Sequence, residues 1–251
     1  MNLFAHKYFT SLVFGDDLLE ACVLPDEDEN QNGYSCHFYN PVTGKCYRGT
    51  EDSARNRFIW HLASYLMSGS KEELGRSIHF LEDMCTPVHT QYEDVTDATI
   101  RLKLHMQFEQ QFDEFLSEGT YGDNDLSNRY NSLIKLSKFN LSEILDYCPC
   151  KAAELYYKYR DENLYEKVFI ETSELVVVSL STLKAILDSN SLVGKEFQFD
   201  DDKINAIFCE NMELVSCLNT DVCLRRNGHG NVVIFKRANR AFNFKVAGEV
   251  F

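Results

Sequence analysis

Two pairs of possible metal ligands and one further histidine lie close together in the middle of this chain. His79 and Asp83 are four residues apart, and so are His105 and Glu109, a spacing that places both members of a pair on one face of a helix. His89 follows a proline, where a helix has to end, and is expected in a loop. Imidazole and carboxylate groups are ligands that zinc prefers. The pattern predicts that these five residues bind metal.

The neighbours of the first pair favour metal ligation over a simple ion pair. An isolated histidine and aspartate at this spacing would more often form a solvated contact on a helix surface. Here Ile78, Phe80 and Leu81 surround His79 and Asp83 with apolar side chains. Burial of an acid without a partner costs free energy, and a divalent cation is such a partner.

The composition is that of a folded protein with a substantial core. The chain has 251 residues, of which 44% are hydrophobic. The net charge of −14 argues against a surface that follows a nucleic-acid backbone. No apolar run is long enough to predict a transmembrane span. The nine cysteines leave two states open, mostly reduced thiols or some disulfides.

Helical patterns dominate the chain up to about residue 190. One apolar stripe at helical spacing begins after Thr50 and ends at Gly69. Ser70 and Glu73 form a capping-box pattern at the start of the next helix, which carries the first ligand pair. Further helices are predicted over about 97–116, 124–138, 140–160 and 162–189.

The remaining segments differ from these helices. Residues 16–50 are loop-like, with acidic and turn-forming stretches. Near the carboxyl terminus, 231–235 and 241–246 are apolar or alternating and predict a β-hairpin. We therefore expect a mainly α protein, with a compact multi-helix domain over 1–190 and a small hairpin-containing extension over 191–251. Two roles are open for the extension: docking to anionic lipid, or packing on the helical domain.

Four motifs occur in a characteristic order: Pro25-Asp26, His37-Phe-Tyr-Asn-Pro41, His79-x3-Asp83-x5-His89 and His105-x3-Glu109. In this order and spacing the chain resembles the zinc-dependent phospholipase C family. That family includes the bacterial phosphatidylcholine-preferring enzymes and the alpha-toxin catalytic domains, and is related to fungal-type zinc single-strand nucleases. The match covers about residues 1–190, and it implies an all-helical fold with a trinuclear metal site in one cleft.

The resemblance also implies the ligands of three zinc ions. The first two sites would use Asp26, His37, His79 and Asp83 for one ion, and His89, His105 and Glu109 for the other. The third would use His6, a bridging oxygen of Asp83, and the amine and carbonyl of the first residue. The family has Trp at that position and this chain has Met1, five residues before His6, as in the related nucleases. A free amine at Met1 is needed for this third, weaker site.

The implied reaction is hydrolysis of a phosphodiester by a metal-activated water. Clustered zinc lowers the pKa of water and neutralises phosphodiester oxygens as charge builds. Asp26 would be a ligand or the general base. We therefore expect a phospholipase C that cleaves phosphatidylcholine-type lipids to diacylglycerol and a phosphorylated headgroup. Tyr34 and Glu27 would contact choline, through a cation–π contact and through charge.

Two other functions stay open, a zinc single-strand nuclease and a non-catalytic zinc-stabilised module that binds lipid or protein. Glu109, where the nucleases usually have Asp, favours the lipase, as do the phospholipase-type motif at His37 and the negative net charge. We expect a monomer that meets a membrane surface peripherally and binds no nucleic acid. We also expect a secreted or exported protein, its signal peptide absent or already removed, while the cysteines leave an intracellular or host-delivered one open.

Overall fold

The computed structural model describes residues 1–50, 52–90, 98–118, 141–162, 164–189, 222–226 and 232–236. The helices are α1 (Leu3–Phe14), α2 (Leu24–Asp28), α3 (Gln31–Tyr34), α4 (Ala54–Ser68), α5 (Lys71–Met84), α6 (Ala98–Glu118), α7 (Leu141–Glu162) and α8 (Tyr165–Ser189). The mainly α class is therefore confirmed. None of the described helices is long and apolar enough to cross a membrane.

The ends of α4 and α5 follow the signals in the sequence. The helix α4 ends at Gly69, which has a φ of 72° and whose backbone N–H donates to the Tyr65 carbonyl. The Ser70 hydroxyl then caps α5 by accepting the Glu73 backbone N–H at 3.5 Å. The predicted start of α4 lies a few residues too early, because Ser53 is the N-cap of this helix.

Residues 16–50, which were expected to be loop-like, instead contain several short helical turns. Apolar side chains anchor these turns, with Leu18, Cys22 and Val23 buried, and Pro25 lies at the start of α2, where its fixed φ suits a helix. Besides α2 and α3, the short turns of 3-10 helix are Asp16–Leu18, Ala21–Val23, Ser35–His37 and, after α5, Pro87–His89.

The helix α5 lies at the centre of the core. Every residue from Leu74 to Met84 is buried, so the polar groups of this helix need partners inside the protein. Large apolar side chains from the other helices are buried in the same core. The largest of these include Phe9, Phe58, Phe108, Phe112, Tyr156 and Tyr159.

Gly75 allows α5 to approach the turn Ala21–Val23 closely. A Cβ atom added at Gly75 would lie 2.3 Å from the Ala21 Cβ and 2.6 Å from its carbonyl carbon. This contact brings the Cys22 carbonyl oxygen to 2.8 Å from Nδ1 of His79, one helical turn after Gly75. The glycine therefore sets the position of a predicted ligand.

The carboxyl-terminal part is described only in two strands, β1 (Val222–Arg226) and β2 (Val232–Lys236). They pair antiparallel, with Val222 opposite Lys236. The second strand of the expected hairpin, 241–246, and the helix expected over 124–138 lie outside the described residues. The division into two domains stays a prediction.

Six cysteines of the described helical part are free thiols. Cys85, between two predicted ligands in sequence, is buried and donates to Ser179 Oγ at 3.3 Å. It therefore packs in the core, as expected. The free cysteines are Cys22, Cys36, Cys46, Cys85, Cys148 and Cys150.

Candidate metal centre

The fold brings all of the predicted ligand residues together. They come from the amino terminus and α1, from α2, from the turn Ser35–His37, from α5, from the turn Pro87–His89 and from α6. The histidines and carboxylates among them form three groups, and within each group the possible ligand atoms lie within 4.8 Å of one another. The groups are His6, His79 and Asp83; Asp26, His37 and His79; and His89, His105 and Glu109. Metal binding by them stays a prediction.

Asp83 lies between these groups and is fully buried. Its Oδ2 is 2.9 Å from Nδ1 of His37 and 3.3 Å from Nε2 of His79. Its Oδ1 is 2.9 Å from the Met1 amine and 3.3 Å from Nδ1 of His89. Burial alone would raise the pKa of Asp83, but the histidines and the amine lower it well below its usual range. The two oxygens of one carboxylate therefore face two different sets of ligands.

The resemblance places the Met1 amine beside His6 and Asp83, and the structure places it 2.9 Å from Oδ1 of Asp83. It is 3.2 Å from Nε2 of His89 and 3.3 Å from Oε1 of Glu109. Burial opposes a charge there, yet Asp83, Glu109 and Asp26 raise the pKa of the amine to about 11. A positive charge at this point offsets the buried carboxylates, and a divalent cation would do the same. A ligand role for the Met1 carbonyl stays a prediction.

Backbone carbonyls fix the orientation of three histidine rings. His79 donates its Nδ1–H to the Cys22 carbonyl at 2.8 Å, and His89 donates its Nδ1–H to the His37 carbonyl at 2.9 Å. The His37 Nε2–H points at the Glu29 carbonyl, 3.3 Å away. In each ring the other nitrogen is left facing the cluster. Metal-binding histidines usually have an outer hydrogen bond of this kind, so the donor set fits zinc.

His6 is oriented by Glu82, a residue that the sequence analysis missed. Both are fully buried, and Oε2 of Glu82 lies 2.5 Å from Nδ1 of His6. The hydroxyl of Thr10 donates to the other Glu82 oxygen at 3.3 Å. The His6 Nε2 has no hydrogen-bond partner and lies 3.7 Å from Oδ1 of Asp83. An orphaned buried nitrogen is costly, and a cation in reach of its lone pair would satisfy it.

The third group lies at the most accessible end of the cluster. Oε1 of Glu109 is 2.8 Å from Nε2 of His105 and 3.2 Å from Nε2 of His89. Phe38 supports both rings, stacking on His89 with centroids 4.9 Å apart and meeting His105 edge-on. Burial would raise the pKa of Glu109, but the Met1 amine and the two histidines lower it far below its usual range.

A cavity of about 550 Å³ opens onto the cluster. Asp26 lies in its wall with its Oδ1 3.7 Å from both Nδ1 of His37 and Nε2 of His79. Tyr34 and Glu27 also line the cavity. Tyr34 has a φ of 60°, which is uncommon for a bulky residue and often marks a functional constraint. The contact of these two residues with a headgroup stays a prediction.

A buried ionic network lies behind the cluster, and the sequence analysis missed it. The carboxylate of Glu29 meets Arg57 at 2.8 Å, Arg76 at 2.7 Å and Nε2 of His61 at 3.1 Å. Burial opposes ionisation, but these cations hold the pKa of Glu29 far below its usual value. Because the Glu29 carbonyl accepts a hydrogen bond from His37, the network supports a predicted ligand.

His61 and Trp60, which we interpreted as structural, are both buried outside the ligand groups. Nδ1 of His61 is 2.8 Å from Glu73 Oε2, and the ring stacks on Phe80 at 5.7 Å. Burial would lower the pKa of His61, but Glu29 and Glu73 raise it. This histidine therefore belongs to the Glu29 network and to none of the three ligand groups.

No protein-family model matches the chain, and a search of curated proteins found no significant match. A comparison with solved structures found the alpha toxin of Clostridium absonum, with a TM-score of 0.50 and 17% sequence identity over 94% of this chain and 72% of the toxin. It also found the alpha toxin of a Clostridium perfringens avian strain, with a TM-score of 0.47 and 14% identity over 97% and 71% of the two chains. The first match shows that the chain has the fold that the resemblance in its motifs implies.

Proposed function

We propose that this protein is a zinc-dependent phospholipase C. The observation that carries the proposal is the position of Asp83, whose two oxygens lie 2.9 Å from His37 and 2.9 Å from the Met1 amine, because both of these residues line an open cavity of about 550 Å³. A purely structural zinc site is closed, whereas a catalytic site keeps a position open to substrate. The third group, with His89, His105 and Glu109, borders the cavity and is therefore open in this sense.

The residues of the chain would hold up to three zinc ions and position the substrate. Bound zinc would supply Lewis acidity that activates water and neutralises phosphodiester charge. Asp26 is the best placed proton acceptor, because it lies in the cavity wall, partly exposed, and is near two histidines without a short contact to either. Each oxygen of the buried Asp83 lies within 3.3 Å of two predicted ligand residues, and Asp83 is assigned a bridging role.

The proposed substrate is a phosphatidylcholine-type phospholipid, cleaved to diacylglycerol and a phosphorylated headgroup. The cavity volume of about 550 Å³ is in the range of small-molecule sites. Tyr34 offers an aromatic face and Glu27 a negative charge, and both features suit a quaternary ammonium group. The net charge of −14 disfavours a polyanionic nucleic acid in the same cavity.

We also propose the oligomeric state, the location and the domain organisation of the protein. The protein would act as a monomer, bound peripherally to a membrane surface after secretion or export. Residues 1–190 would form the catalytic domain and residues 191–251 an extension.

The experiment is release of phosphocholine from phosphatidylcholine in mixed micelles, with and without zinc. Asp83→Asn should abolish the release, because the amide cannot hold two ions. Asp188→Asn, the same change at an exposed aspartate near the end of α8, is the control and should retain activity. Zinc-dependent cleavage of single-stranded DNA without lipid turnover would assign the protein to the nucleases. A folded, zinc-loaded protein that cleaves neither substrate would be a binding module.

A further inference from the structure

Exposed apolar side chains surround the mouth of the cavity. Leu102 and Met106 of α6 are 57% and 63% exposed, Leu3 of α1 is 49% exposed and Tyr34 of α3 is 45% exposed. All four line the cavity. Phe4, beside Leu3, is 47% exposed. Large apolar residues that cluster on a surface in this way commonly mark an interaction site.

The helix α6 couples this apolar surface directly to the candidate metal centre. Leu102 lies three residues before His105, and Met106 three residues before Glu109, so each apolar side chain is a neighbour of a predicted ligand on the helix surface. The opposite side of α6 is buried in the core through residues such as Phe108. Anything that covers Leu102 and Met106 therefore also covers the mouth of the cavity.

Two guanidinium groups lie beside the same mouth, in a protein whose net charge is −14. Tyr47 lines the cavity, and the Arg101 guanidinium lies 4.2 Å from its ring centroid. The Arg48 guanidinium lies 5.5 Å from the same centroid. An apolar surface with cations at its edge complements a phospholipid surface, where hydrocarbon lies just beneath phosphate.

We propose that Leu3, Phe4, Tyr34, Leu102 and Met106 form a docking ring that enters the interfacial layer of a phospholipid surface. Arg48 and Arg101 then meet lipid phosphates. This inference rests on the proposed function, since it explains how the cavity meets a lipid whose acyl chains stay in the bilayer. The ring belongs to the helical domain, so docking through it does not need residues 191–251.

The test is co-sedimentation with vesicles of phosphatidylcholine and a minority of phosphatidylserine, using the zinc-loaded full chain. The double variant Leu102→Ser/Met106→Ser should weaken binding by about tenfold or more, because each serine removes apolar area that would otherwise leave water. The control Leu12→Ser/Leu164→Ser changes two exposed leucines that do not line the cavity and should bind like the wild type. Thermal unfolding confirms that both variants are folded.

Hydrolysis of a water-soluble phosphodiester by the same wild-type preparation tests the catalytic proposal separately. If the ring variant loses vesicle binding and the wild type hydrolyses no phosphodiester, the catalytic proposal is refuted and the docking ring is retained. Equal binding of ring variant and wild type would overturn the docking ring. So would a wild-type dimer that the ring variant abolishes.

Discussion

Oε2 of Glu82 lies 2.5 Å from Nδ1 of His6, and both side chains are completely buried. The Glu82 side chain therefore holds the ring from behind, while Nε2 of His6 points toward Asp83. Loss of an outer partner of this kind typically lowers metal affinity by about 10- to 100-fold. We expect Glu82→Gln to weaken one bound zinc by about that factor and to leave the others in place, as measured by zinc content after dialysis against a competing chelator.

The matched control for this prediction is Glu73→Gln. Glu73 and Glu82 lie on the same helix, and Glu73 pairs with Nδ1 of His61 at 2.8 Å, away from the ligand groups. This variant should keep the full zinc content of the wild type. Equal zinc affinity in the two variants would show that Glu82 has no part in metal binding.

Extension of the chain before Met1 should remove one metal ion. The amine is buried 2.9 Å from Oδ1 of Asp83 and 3.3 Å from Oε1 of Glu109, so an added residue would both convert the amine to an amide and crowd the cluster. Zinc content measured by atomic emission should fall relative to a protein that begins at Met1. An equal extension after Phe251 is the control. Full zinc content and full activity in the amino-terminally extended protein would exclude Met1 as a ligand.

The pairing of His61 with Glu29 and Glu73 should make stability depend on pH in a defined direction. Burial alone would lower the pKa of His61, but the two carboxylates raise it above its ordinary value of 6.5. Because the pKa of His61 is raised in the folded state, its protonation contributes fully to stability below pH 6.5. This contribution to stability is lost as the pH rises through the folded-state pKa. We therefore expect the free energy of unfolding of His61→Asn to differ most from the wild type in mild acid. Urea unfolding across this range measures it, and a constant difference would contradict the assignment.

Gly75→Ala should destabilise the protein by about 1–3 kcal/mol, because the new methyl group overpacks a rigid contact. It would collide with the Cβ and the carbonyl carbon of Ala21, 2.3 and 2.6 Å away. Adding Ala21→Gly removes one of the three colliding atoms, since the Cys22 backbone nitrogen also lies only 2.9 Å away, and should recover part of the loss. Urea unfolding of the two single variants and the double variant measures this coupling. A fully additive result would show that the contact does not limit packing.

The sequence predicted the site best where both members of a ligand pair lie on one helix. The pairs His79 with Asp83 and His105 with Glu109 were predicted from spacing, because helix geometry alone places residues four apart on one face. The end of α4 at Gly69 and the start of α5 at Ser70 were also predicted, because the residues that signal them are local in the sequence. The roles of Met1, His6, Asp26 and His37 were expected only through the resemblance to a family.

Glu82 and the Glu29 network could not be predicted, because their partners are far away in the chain. Glu82 contacts His6, which is 76 residues away in the sequence, and Glu29 contacts Arg76, which is 47 residues away. Nothing in the spacing of these residues distinguishes a buried acid with a partner from a solvated one. The apolar residues around Glu82 were a possible signal, since an acid in such a stretch requires a partner.

The position of Asp83 between two sets of histidines has a consequence for how metal would be taken up. A cation held at Oδ2 would fix the side-chain torsions of Asp83, so Oδ1 would already be oriented for a second cation. The second ion would then bind without ordering that side chain again. Uptake would be cooperative, and a chelator that removes one ion would loosen its neighbour.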